Sequence, residues 1–195
     1  MNNSFKIVVL ISGSGSNLQA IIDATRNFVP KINIALVLSN KSDAYGLKRA
    51  EKAHIPTKVI EHQQYDTRLA FDREMIKAID QCKPDLVVLA GFMRILTEEF
   101  VQHYENKMIN IHPSLLPKYK GTNTHQRAID AGDKEHGLSI HYVTNELDSG
   151  PVLKQVKVPI YPEDTAETLA QRVLLEEHKA YPDVIIKLAK NHKKL

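Results

Sequence analysis

The stretch KIVVLISGSGSNLQAII (residues 6–22) decides the fold. Lys6–Ile11 is a strand candidate whose residues 7–11 are continuously apolar, without alternation, as expected of a strand covered on both faces. Ser12–Asn17 is rich in glycine and serine. Leu18–Arg26 then places Leu18, Ile21, Ile22 and Thr25 on one helical face. A buried strand feeding a helix through a glycine turn is the opening unit of a doubly wound α/β sheet. In such a sheet that turn lies at the carboxyl edge of the strands, where ligands bind.

The turn has its own chemistry. Glycines permit close backbone approach, and the N–H groups that open a helix favour an anion. Ser14, Ser16 and Asn17 add side-chain donors. Leu18 occupies the third position of a G-x-G-x-x-G pattern, and no Gly-Lys-Ser/Thr follows, which argues against a dinucleotide and against a P-loop. A single phosphate monoester fits the segment, and so does a tight turn capped by Ser or Asn.

The same alternation continues outward. Ile32–Leu38 reads as a strand, Ala44–Ala53 as a helix and Thr57–Ile60 as a short strand after Pro56. Asp66–Gln81 reads as a helix whose period is carried by Leu69, Met75, Ile76 and Ile79. Asp85–Ala90 is a second buried strand, and Thr97 opens a helix with Glu98 and Glu99 in its first turn. Met108–Ile111 is a strand, and His125–Ala131 a helix. Leu138–Val143 and Val152–Ile160 alternate like antiparallel or edge strands. Asp164 and Glu167 suit the start of a last helix to about Ala180, with a restart at Pro182. The expectation is one α/β domain over 1–195, a Rossmann-like, mostly parallel sheet with helices on both faces and antiparallel strands in its C-terminal half.

Composition sets limits. The chain has 195 residues, enough for one substantial core. Its 43% apolar and 25% charged residues are those of a soluble globular protein. The apolar run near the N-terminus is too short for a signal peptide or a membrane span, so a cytoplasmic protein without membrane contact is expected. Cys82 is the only cysteine, which excludes an internal disulfide and a Cys-based zinc site. His136 and His141 are placed in a loop and a strand, and His103, His112 and His125 lack ligand spacing, so no metal is expected. The net charge of +3 includes Lys190–Lys194, read as a solvated, frayed tail and not as a nucleic-acid site.

The second chemical signal is Asn110–Ile111–His112–Pro113. Residues two apart on a strand project to one side, so Asn110 and His112 share a face at a strand end. An amide N–H and an imidazolium aimed at one carbonyl oxygen would stabilise the charge that gathers there in acyl transfer. A nearby carboxylate favours the charged ring, and Asp148 in Leu147–Pro151 is the candidate. A strand-end histidine is also a common structural residue, and Asp-Ser-Gly-Pro a common turn. Spacing alone leaves both readings standing.

Together these segments resemble the folate-dependent formyltransferases, and within them the glycinamide ribonucleotide transformylase (phosphoribosylglycinamide formyltransferase) family. The resemblance covers nearly the whole chain and is carried by ISGSGSNLQAII (11–22), LAGFMRIL (89–96), INIHPSLLPKYKG (109–121), HGLSIHYVTNELDSGPV (136–152) and EEHKAYP (176–182). It implies formyl transfer from 10-formyltetrahydrofolate, a co-substrate, to the amine of N1-(5-phosphoribosyl)glycinamide in purine synthesis, without a metal. It also implies a catalytic trio of Asn110, His112 and Asp148. Gly15, Ser16 and Asn17 match the phosphate turn, and Glu177 a residue at the glycinamide end. Arg68, Met93, Arg94, Ile95, Leu96 and Asn110 match the folate site. Residues 1–100 are then expected as the phosphate-binding half and 101–195 as the folate and catalytic half.

Lys120 stands where the family often has Pro, and Asn123 where His is common. Methionyl-tRNA formyltransferases, formyltetrahydrofolate hydrolases and a non-catalytic nucleotide-binding module are the rivals. The first two usually carry an additional domain for which this chain is expected to be too short. A binding module would not require the trio. Monomer and homodimer both remain open.

Overall fold

A computed structural model describes residues 4–28 and 31–192. Seven strands form one mixed sheet: β1 (Phe5–Ile11), β2 (Ile32–Ser39), β3 (Thr57–Val59), β4 (Leu86–Leu89), β5 (Met108–His112), β6 (Glu135–Tyr142) and β7 (Val152–Pro159). Six α-helices surround it: α1 (Ser16–Thr25), α2 (Tyr45–Lys52), α3 (Arg68–Asp80), α4 (Glu98–His103), α5 (Thr124–Asp130) and α6 (Ala166–His192).

The strand order is β3-β2-β1-β4-β5-β6-β7. The pairs from β3 to β5 are parallel, whereas β5–β6 and β6–β7 are antiparallel, as the sequence leads one to expect. Successive side chains of β1 serve two separate cores. Ile7, Val9 and Ile11 pack with Leu18 and Ile21 of α1 and with Val173, Tyr181 and Ile185 of α6. Val8 and Leu10 pack with Phe71, Met75 and Ile79 of α3 and with Phe100 of α4. A strand covered on both faces has no polar positions to alternate, which explains its continuous apolar run.

Three expectations are corrected. On α3 the inward face is Phe71, Asp72, Met75, Ala78 and Ile79, while Leu69 is exposed. The buried side is therefore rotated from the anticipated stripe, and it carries a carboxylate. β6 does not alternate: His136–His141 are all buried, because Leu138 and Ile140 face the core under α6 while Ser139, on the other face, is covered by the 114–116 segment. The last helix is not broken at Pro182 and runs unbroken to His192. A proline inside a helix typically costs about 3 kcal/mol. Here buried Tyr181, Val184, Ile185 and Ala189 on the same helix offset that cost by packing. Lys190–His192 are thus helical, and Lys193–Lys194 of the anticipated tail lie outside the described residues.

β1 and β4 are neighbours although β2 and β3 lie between them in sequence, so the topological switch point falls between their carboxyl ends. The turns after both strands are stitched together there. Ser12 N–H donates to Gly91 O at 3.1 Å, and Met93 N–H to Ser12 Oγ at 2.8 Å.

Candidate active site

The glycine turn leaves β1 at Ser12 and enters α1 at Ser16, two residues earlier than the apolar period suggests. Gly15 holds a left-handed φ of +68°, and a Cβ there would lie 2.5 Å from Gly46 Cα, so both its conformation and its neighbour require glycine. Neither Ser16 nor Asn17 has a preceding helical carbonyl for its N–H, which is the polarity an anion needs.

The side chain of Asn17 is not free for that anion. Its Nδ2 donates to Glu177 Oε2 at 2.8 Å, joining α1 to α6, and both residues are buried. Burial raises the Glu177 carboxyl above its usual range, and the Asn17 hydrogen bond opposes the rise. Asn17 Oδ1 is buried without a partner. An unpaired acceptor beside a carboxylate suits a ligand presenting hydroxyl or amine N–H groups. Tyr181 fixes where Glu177 sits, because its hydroxyl, one helical turn further on, lies 2.8 Å from Leu89 O and 3.2 Å from Ile109 O.

Asn110, His112 and Asp148 come together. Asn110 and His112 face the same way at the end of β5, and Asp148 reaches them from the loop joining β6 to β7. His112 Nδ1 lies 3.4 Å from Asp148 Oδ2, with both side chains buried. Asp148 Oδ2 also accepts the Gly121 N–H at 2.9 Å, and His112 Nε2 lies 2.9 Å from Tyr119 O. Both ring nitrogens of His112 therefore face acceptors, an arrangement that only the doubly protonated ring satisfies completely. Asp148 itself has a left-handed φ of +49°, and Tyr119 one of +57°. Two non-glycine residues in this region beside one polar cluster mark a locally constrained site.

The segment after β5 is pinned at several points. Ser139 Oγ donates to Ser114 O at 2.6 Å and accepts the Leu116 N–H at 3.0 Å, and Thr124 Oγ1 donates to Pro113 O at 2.6 Å. Lys120 bonds Ser149 and pairs with Glu146 Oε1 at 2.9 Å, strapping this segment to the loop that carries Asp148. Asn123 has a left-handed φ of +56° at the start of α5 and makes no side-chain cap.

The stretch between β4 and α4 lies at the neighbouring strand end, since Leu89 pairs with Asn110. Met93 is 74% exposed, Ile95 62% and, across the site loop, Leu147 52%, so large apolar side chains stand in solvent there. Leu96 is half-buried against the α3 core. Arg68 is exposed and does not pair with Asp72 at i+4. Asp72 Oδ2 instead accepts the N–H and Oγ1–H of Thr97 at 2.6 and 2.7 Å. Burial raises the Asp72 carboxyl, Thr97 opposes this, and the positive charges of Arg68 and Arg94 oppose it further, which places both cations around this carboxylate. Arg94 Nε is buried and unpartnered. Exposed apolar side chains next to two cations fit a flat aromatic group with an anionic tail, the chemistry of a folate. Among the described residues no three His, Cys, Asp or Glu side chains gather as metal ligands, and no helix is long and apolar enough to cross a membrane.

A family described as "Formyl transferase" matches residues 5–185. The chain belongs to the formyl transferase family. It is 55% identical over 179 residues to the phosphoribosylglycinamide formyltransferase of Escherichia coli (strain K12), covering 92% of this chain and 84% of that one. It is 47% identical to part of the human trifunctional purine biosynthetic protein adenosine-3, covering 91% of this chain and 18% of that protein. Among solved structures, the phosphoribosylglycinamide formyltransferase of Coxiella burnetii in complex with CHES superposes with a TM-score of 0.92 at 53% identity. That match covers 97% of this chain and 89% of the other.

In this formyl transferase two residues join the polar centre that spacing did not single out for it. His141, weighed from the sequence only as a metal ligand, faces Asn110 across the β5–β6 ladder. Its Nε2 is 3.4 Å from Asn110 Nδ2 and 3.7 Å from Asp148 Oδ1, and its Nδ1 is 2.8 Å from Tyr142 O. Burial lowers its pKa, although Tyr142 O and the Asp148 charge act the other way. A neutral ring donating from Nδ1 accepts at Nε2, which sets the Asn110 amide with one N–H towards His141 and the other free. Tyr119 acts through its carbonyl, so its side-chain type carried no signal. Only the antiparallel register could have revealed His141.

Proposed function

We propose that the protein transfers the formyl group of 10-formyltetrahydrofolate to the primary amine of N1-(5-phosphoribosyl)glycinamide, a step of purine biosynthesis in the cytoplasm. The carrying observation is the buried His112–Asp148 pair beside half-buried Asn110, at a strand end shared with the glycine turn's sheet edge. The activity named for the relatives agrees with it.

The substrate phosphate rests on the N–H groups of Gly15, Ser16 and Asn17, and Glu177 receives donors from the glycinamide end. Arg68, Met93, Arg94, Ile95 and Leu96 take the folate, with Asn110 at its formyl oxygen. Glu177 spans the division into residues 1–100 and 101–195, and the 93–96 stretch falls in the first half. That division thus describes the phosphate turn and the trio but not the folate site.

The neutral amine attacks the formyl carbon, and charge gathers on the carbonyl oxygen. Asn110 turns its free Nδ2–H to that oxygen, since its other is held by His141. His112 supplies a second donor from Nε2, which rests on Tyr119 O before substrate enters. Asp148 sets its carboxylate against Nδ1 at 3.4 Å, which fixes the plane of the ring and stabilises the cationic donor. As the bond from carbon to the folate nitrogen breaks, that nitrogen takes a proton and the attacking amine loses one. Losing one donor at such an oxygen typically costs on the order of a hundred- to a thousand-fold in rate.

The test is formyl transfer to a panel of phosphorylated and unphosphorylated amines, with formate measured in parallel. Transfer selective for the phosphorylated glycinamide supports the assignment. Formate release without acceptor, or folate binding without turnover, would refute it.

A further inference from the structure

The phosphate turn belongs to α1 in sequence, yet the contacts that hold its shape come from α2. Gly46 N–H donates to Gly13 O at 3.0 Å, and Arg49 Nε donates to Ser14 O at 2.9 Å. In a trans peptide the carbonyl and the following N–H point in opposite directions. Drawing the Gly13 and Ser14 carbonyls towards α2 therefore turns the N–H groups of Ser14 and Gly15 away from it. Successive N–H groups presented this way, with Gly15 left-handed, form an anion-binding concavity.

The approach of the two helices is tight enough to depend on side-chain size. A Cβ on Gly46 would fall 2.5 Å from Ile11 Cδ1 and 3.1 Å from Gly15 Cα. Arg49 is half-buried, its guanidinium lies 5.0 Å from the Tyr45 ring centroid, and Nη1 reaches Gln19 Oε1 at 3.4 Å. Among the described residues it has no carboxylate in ion-pair range. A guanidinium carries five N–H donors, so most of its donor capacity remains uncommitted beside the turn, and its charge meets the Tyr45 ring but no carboxylate. The charge is felt on the α6 side as well: His178, next to Glu177 and with Nε2 unpartnered, is held below its ordinary pKa first by burial and then by Arg49.

We propose that Arg49 is the residue that sets the preference for a phosphorylated acceptor, aiming the N–H groups of the turn through Ser14 O and adding its positive charge from behind them. This rests on the acceptor assigned above. It adds a residue from outside the glycine motif, with Gly46 as the contact that lets α2 come close enough.

The test compares steady-state formyl transfer to glycinamide ribonucleotide and to its unphosphorylated riboside, in the parent and in Arg49→Ala, Arg49→Gln and Arg49→Lys. A charge-assisted contact of this kind changes affinity by roughly 10- to 100-fold. Arg49→Ala and Arg49→Gln should raise KM for the phosphorylated acceptor by about that factor, with kcat much less affected. The kcat/KM ratio between the two acceptors should collapse accordingly. Arg49→Lys should restore part of the ratio, since it keeps the charge without the planar fork. Gln retains an amide for Ser14 O and carries the comparison if the Ala variant folds poorly. A merely structural role would depress both acceptors alike and leave the parent's ratio intact, and that result overturns the inference. A parent ratio near unity would instead remove the phosphate site itself, and the role of Arg49 with it.

Discussion

Replacing Asp148 by Asn removes one charge from the centre while changing its shape least. The carboxylate accepts the Gly121 N–H at 2.9 Å and faces His112 Nδ1 at 3.4 Å, both through Oδ2. An amide oxygen in that position keeps the Gly121 bond, and the new NH2 group falls where Oδ1 lies, 3.7 Å from His141 Nε2, an acceptor in the neutral ring. The fold should therefore persist. What disappears is the attraction for a charged His112. Two unit charges 3.4 Å apart attract by about 5 kcal/mol at an effective dielectric constant of ~20, which is a ceiling. Charge-assisted hydrogen bonds in proteins contribute about 1.5–3 kcal/mol. Converted to rate, that range is roughly 10- to 150-fold. Asp148→Asn should thus lower kcat by about one to two orders of magnitude, with its thermal midpoint within a few degrees of the parent's. Spectrophotometric release of tetrahydrofolate and a circular-dichroism melt measure the two quantities. A folded variant turning over within about threefold of the parent would refute the role given to this carboxylate, because the pair would then contribute less than ~1 kcal/mol to the transition state.

Glu177→Gln should change how stability depends on pH. The folded-state pKa of Glu177 lies above its ordinary 4.5. Between those two values the native protein retains a proton that the unfolded chain has released, so stability falls as pH rises through the window. Denaturant midpoints of the Gln variant should lack this decline, and parallel pH profiles for the two proteins would contradict it. Tyr181→Phe leaves the ring's packing but removes a buried donor serving Leu89 O and Ile109 O, at a cost of about 1–3 kcal/mol. Since those contacts set the position of Glu177, KM for the amine acceptor should rise together with the loss of stability. An unchanged KM would separate the helix anchor from the site.

Much of the architecture was legible because the signals are local. Uninterrupted apolar runs at 7–11 and 86–90 mark strands covered on both faces, and the glycine pair at 13 and 15 marks the turn at the carboxyl edge. The spacing of Asn110 and His112 on one strand already placed them together. Leu69 and Pro182 misled for opposite reasons. Leu69 is apolar yet exposed, while Asp72 on the inward face is polar yet retained by Thr97. Pro182 breaks helices by local geometry, but the buried residues around it decide otherwise.

The amino-acid order by itself determined the elements, their type and their sequence along the chain, since each depends on contacts a few residues apart. Three relations were settled only by the tertiary structure. The β5–β6 register puts His141 against Asn110. The left-handed backbone at Asp148 turns its carboxylate onto a ring thirty-six positions earlier. The approach of α2 lets Arg49 and Gly46 hold a turn that lies before α1. These pairings are fixed by strand register, by buried polar groups that must find partners, and by the space two glycines leave open. None of the three is a property of any short segment.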